Sequence, residues 1–184
     1  MQSEILIHTL LEQTKRIINQ AEKLQTYDLE KLIWRENETS WNILECLEHL
    51  NLYGDFYLPQ IERKIKNSDT KTDFEFKSGL LGNYFSKTML PKEKLNKMKT
   101  FRDKNPLNTN LNKTVISKFI DQQIKLLDLL NQSGKISLNK VKIQISISSL
   151  VKLKLGDTFQ FYVNHMMRHL NQIDRIEASM KDAR

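Results

Sequence analysis

The sequence predicts an all-α protein, a four-helix bundle with a long crossover between its second and third helices. Two observations carry this. Five glycines and three prolines in 184 residues leave few breaks, so long helices are allowed. Four stretches return apolar residues at three-and-four spacing between charged ones, the mark of a helix with one buried face. With 39% hydrophobic and 28% charged residues the composition is ordinary for a soluble globular protein, and one domain spanning residues 1–184 is expected.

The first stretch, Glu4 to Gln25, carries Ile5, Leu10, Ile17, Ala21 and Leu24 on one face. A polar connector, Thr26 to Thr39, follows, and Thr39 or Ser40 offers a hydroxyl to cap the next helix. That second helix runs from about Trp41 to about Lys66 through Leu44, Leu47, Leu50 and Ile61, with a kink or early stop expected at Pro59. From Asn67 to Asn112 the pattern weakens into the crossover, helical over Pro91 to Lys99 and otherwise irregular. Its aromatic residues, among them Phe76, Phe85 and Phe101, argue that it packs over the core or shapes a site. The third helix spans Thr114 to Gln132, with Gly134 as its C-cap. Leu138 to Ile147 alternates Val141, Ile143, Ile145 and Ile147 with polar residues, the period of a short strand, although no pairing partner is evident. The last helix opens at Gly156-Asp157-Thr158, capped by Asp157 or Thr158, and continues to Met180.

Charge and hydropathy exclude several classes. The net charge is +7 with a pI near 9.4, but the excess lysines are scattered among acids, which describes a solvated surface and not a specific nucleic-acid interface. No uncharged apolar run is long enough to span a bilayer. The N-terminus lacks a basic and then apolar leader, so a cytoplasmic location is expected. The single cysteine, Cys46, cannot form an intramolecular disulfide, which fits a reducing compartment.

The chemistry is concentrated in the histidines. His165 and His169 stand four residues apart, so a helix stacks their imidazoles on one face. His49 supplies a third nitrogen if the second and last helices are neighbours, and three protein ligands with an open position is the usual catalytic zinc arrangement. Isolated pairs at this spacing are often surface or core histidines, so the third ligand matters. His8 has no ligand-type residue at helical spacing and is left out. Met166 occupies the place where a zinc-protease helix carries its glutamate base, which argues against that route to peptide hydrolysis. Glu45, one turn before His49, could accept its ring proton or act as a base. Tyr53 and Tyr162, one turn from His49 and His165, could line a pocket or donate a hydroxyl, against the commoner alternative of core packing. Cys46 reads as a small hydrophobe. Arg168 and Gln172 flank His169, on a solvated edge or facing an anionic substrate or partner chain.

Two segments resemble the signatures of the DinB/YfiT-like superfamily. Trp41, Glu45 and His49-Leu50 fit W-x-x-x-E-x-x-x-H-L, and His165 through Ile173 fit H-x-x-x-H-L-x-Q-I, in that order and with a long crossover between them. The resemblance implies a four-helix bundle, often a homodimer, in which His49, His165 and His169 hold zinc, nickel or iron. It also implies a small-molecule substrate and a low-molecular-weight thiol cosubstrate, since characterised members include thiol S-transferases and isomerases. A hydrolase using metal-bound hydroxide and a non-catalytic module tied together by its metal remain the alternatives.

Overall fold

The computed structural model describes residues 1–90 and 100–182. The chain forms α1 (Ser3–Gln25), α2 (Leu29–Ile33), α3 (Ile43–Lys66), α4 (Leu80–Met89), a 3-10 turn (Arg102–Lys104), α5 (Thr114–Ser133), the strands β1 (Lys142–Ile145) and β2 (Ser148–Lys154), and α6 (Leu155–Asp182). Among the described residues it is mostly helical, with one two-stranded sheet. Among the described residues, no helix is long and apolar enough to cross a membrane.

The four long helices fall where the apolar periodicity places them. α1 packs on α5 and α6, and α3 packs on the same two. Leu44, Leu47, Leu50 and Ile61 of α3, Ile116 and Phe119 of α5, and Phe159 and Tyr162 of α6 are fully buried in one continuous core. Each such side chain contributes about 1.5–3 kcal/mol when taken out of water. Cys46 lies in the same core with no exposure. α3 passes through Pro59 to Lys66 without stopping.

Several expectations are corrected. The cap of α3 is Asn42, not Thr39 or Ser40: its side chain accepts from the Glu45 N–H, and the Glu45 carboxylate accepts from the Asn42 N–H, each at 2.9 Å. Two short helices, α2 and α4, stand in the segments expected to be connector and irregular crossover, and the expected helix over Pro91 to Lys99 lies outside the described residues. The strand does have a partner. β2 folds back antiparallel on β1, with Ile143 opposite Leu153 and Lys142 opposite Lys154. β2 carries little strand pattern in the sequence because Ser148, Ser149, Lys152 and Lys154 dilute its apolar positions, and Leu150 is 91% exposed.

Because β2 runs straight into α6, neither Asp157 nor Thr158 caps that helix. Asp157 instead accepts from the Ser78 hydroxyl and from the Gly79 N–H at 3.0 Å. It thus anchors the start of α4, which packs on α6.

Candidate metal centre

His49 is set by the capped start of α3, and His165 and His169 by the middle of α6. All three are buried, and the structure brings them together. His165 Nε2 lies 3.2 Å from His49 Nε2 and 3.1 Å from His169 Nε2, and the three ligand atoms all lie within 4.8 Å of one another.

Hydrogen bonds on the far side of two rings orient them. His49 Nδ1 donates to the Lys104 carbonyl at 2.6 Å. His169 Nδ1 donates to Gln172 Oε1 at 3.0 Å. Each bond holds the proton on Nδ1 and leaves the Nε2 lone pair aimed at the centre, the arrangement that metal-ligating histidines need. Burial also favours the neutral form. It pulls the His49 pKa down to about 4 and that of His169 to about 3. His165 is lowered well below the ordinary histidine value by burial and by its two neighbours.

The donor set fits a divalent ion. Two nitrogens bound to one zinc-like ion at ~2.0–2.1 Å stand roughly 3.0–3.4 Å apart at angles near tetrahedral or somewhat smaller, and the His165–His49 and His165–His169 separations fall in that range. A single His165 N–H cannot serve two converging lone pairs equally, and a buried acceptor without a partner is costly. A cation held here would take up all three lone pairs, which lie within 4.8 Å of one another.

Trp41 covers this group, with its ring 4.8 Å from that of His49 and 5.8 Å from that of His169. The histidines form part of the wall of a cavity of about 740 Å³, which Tyr53, Phe161, Arg168 and Gln172 also line.

The structure treats the other predicted site residues differently. Tyr53 is at the centre, its ring 5.0 Å from His49 and 4.6 Å from His165. Burial pushes its pKa up to about 12, so near neutral pH it is a proton donor.

Glu45 does not reach His49. It is fully buried, and besides the Asn42 N–H its oxygens accept from Arg35 Nη2 at 3.0 Å and from the Asn108 N–H at 2.6 Å. The ring proton assigned to it goes to the Lys104 carbonyl. Tyr162 is buried in the core, its ring 5.9 Å from Tyr57, and it does not line the cavity.

Sequence reasoning missed the Lys104 carbonyl, because a backbone acceptor in an irregular segment leaves no mark. It noticed Gln172 but not its role, although a position three residues beyond His169 on one helix is a natural place for a ring-nitrogen partner.

The chain matches the family model for the DinB superfamily over residues 10–173. It belongs to the DinB superfamily. Comparison with curated proteins and with solved structures finds no match. The matched DinB span contains all three histidines together with Glu45, Lys104 and Gln172.

Proposed function

We propose that this DinB-superfamily chain is a divalent-metal-dependent enzyme that transfers a low-molecular-weight thiol onto an electrophilic small molecule. The observation that carries the reading is the convergence of three neutral, buried imidazole nitrogens on the wall of an open cavity. A divalent ion held by His49, His165 and His169 would lower the pKa of a thiol or water sharing its coordination sphere.

The chain's own groups do the rest. The Lys104 carbonyl and Gln172 keep two Nε2 lone pairs pointed inward. Arg168 adds positive charge to the same wall, which favours an anionic ligand. Tyr53 retains its proton and hydrogen-bonds the substrate or its leaving group. In the transfer the thiol loses its proton, the sulfur electron pair forms the new C–S bond, and the bond to the leaving group breaks. The leaving group departs with that electron pair and takes up a proton. Glu45 acts by holding the segment that carries Lys104. The resemblance seen in the sequence extends the reading to a four-helix bundle made of the four long helices, working as a cytoplasmic homodimer.

The test is elemental analysis of the purified protein beside His49→Ala and His169→Ala, followed by thiol consumption with a model electrophile. About one ion per chain is expected, largely lost in each variant. Variants that retain the ion overturn the site. Turnover of ester or amide substrates without any thiol moves the assignment to a hydrolase.

A further inference from the structure

The histidines do not lie at one end of their cavity but divide it. On α6 the wall runs from Phe161 through His165, Arg168, His169 and Gln172 to Ser179, a strip about 27 Å long at ~1.5 Å per residue.

Before His165 the wall is apolar, aromatic at Tyr57, Phe85 and Phe161 and aliphatic at Met89 and the hairpin. Phe161 stacks on His165 with centroids 5.8 Å apart and planes 29° apart, and its ring lies 5.9 Å from Tyr57 and 6.4 Å from Phe85. Tyr53 closes the other side of His165 at 4.6 Å. The hairpin meets this end at Ser146, whose N–H donates to the Tyr57 hydroxyl at 3.2 Å. The charged residues of the cavity wall among the described residues, Glu36, Arg168 and Arg175, come from the connector and from α6 beyond His165. None comes from the aromatic segments.

We propose that the electrophilic substrate carries a flat apolar ring system seated at this aromatic end against Phe161, Phe85 and Tyr53, and that the polar thiol takes the end formed by Gln172 and Arg175. Ring stacking and edge-to-face contact add to burial for an aromatic ligand and not for an aliphatic one of equal size. The division also separates the two reactants, so that they meet only at the histidines. The roles of electrophile and thiol rest on the reading in the preceding subsection, whereas the ring seat is a property of the chain with or without an ion.

The experiment is calorimetric titration with 1-naphthylmethanol, a neutral unreactive arene, and with 1-decanol as the aliphatic comparison. Both titrations use the full chain, metal-loaded and chelator-treated. The arene is expected to bind about tenfold more tightly than the alkanol. Its affinity should fall about tenfold in Phe161→Leu and in the less buried Phe85→Ala, and stay unchanged in Arg175→Gln. Equal affinity for the two probes, no arene binding to the parent, or a loss in Arg175→Gln as large as in the phenylalanine variants overturns the proposal. Arene binding that survives in a chain unable to hold metal sustains the seat while removing the transferase reading. Thiol transfer by a metal-loaded protein whose Phe161→Leu and Phe85→Ala variants bind the arene as the parent does removes the seat alone.

Discussion

At the scale of single residues, the controlling fact is that three imidazoles share one buried point and stay neutral there. An unfolded chain protonates its histidines below a pH of about 6.5, whereas in the folded protein His49 and His169 resist protonation down to about 4 and about 3. Between those values the unfolded state binds more protons, so the stability from these groups is intact above about 6.5 and is lost as pH falls towards the folded values. Urea unfolding of the chelated protein should therefore show a loss of about 2 kcal/mol per imidazole between pH 7.5 and 5. A flat profile would show that the rings are solvated. Gln172 offers a second check, because its Oε1 touches His169 Nδ1 and would reach a metal only through that ring. Gln172→Leu should weaken metal affinity about 10–100-fold, and Gln172→Glu, which keeps the acceptor, should largely restore it. The histidine pair was legible in the sequence because helical spacing is rigid. The partners were not: Glu45 sits one turn from His49 in register, but at the third position of the helix its side chain turns back to the cap. Asn42 followed three residues later by Glu45 is itself a capping signature and could have been read as one.

At the scale of elements, the segment from Thr100 to Asn112 matters more than its irregular pattern suggested. It delivers the Lys104 carbonyl to His49, and it is held by the Asn108 N–H on Glu45 and by Asn105, which accepts from Trp41 Nε1 at 3.1 Å. Asn108 takes a left-handed backbone with φ of 62°, which asparagine tolerates better than most residues. Removing the clamp with Glu45→Ala should cost about 1–3 kcal/mol. It should also raise amide exchange across residues 102–108 and weaken metal binding, although Glu45 touches no ligand. Unchanged exchange there would separate Glu45 from the site. α4 offers a cleaner packing test. A Cβ on Gly82 would overlap the Asp157 side chain, so Gly82→Ala should destabilise the protein by about 1–3 kcal/mol, read as a lower denaturant midpoint. The long helices were legible because their apolar faces repeat over several turns. The hairpin was half legible, since Ile143 and Ile145 give β1 a β-branched alternation while the serines and lysines of β2 dilute its own.

At the scale of the whole molecule, the apolar core is continuous across α1, α3, α5 and α6 and is built from side chains other than the three histidines. Chelation should therefore leave the helical circular dichroism intact. It should lower the melting temperature by about 5–10 °C relative to protein held at a hundredfold excess of metal over Kd. Loss of the helical signal on chelation would instead identify a structural site. The lone thiol adds a separate consequence. Cys46 lies one turn from His49, sealed from solvent, and burial together with the neighbouring Glu45 carboxylate raises its pKa and keeps it protonated. Reactive compounds in the histidine cavity therefore meet no thiol of the host while the fold is closed, since Cys46 is the one cysteine of the chain. The rate at which a thiol-reactive dye labels the protein then becomes a clock for how often the helices part.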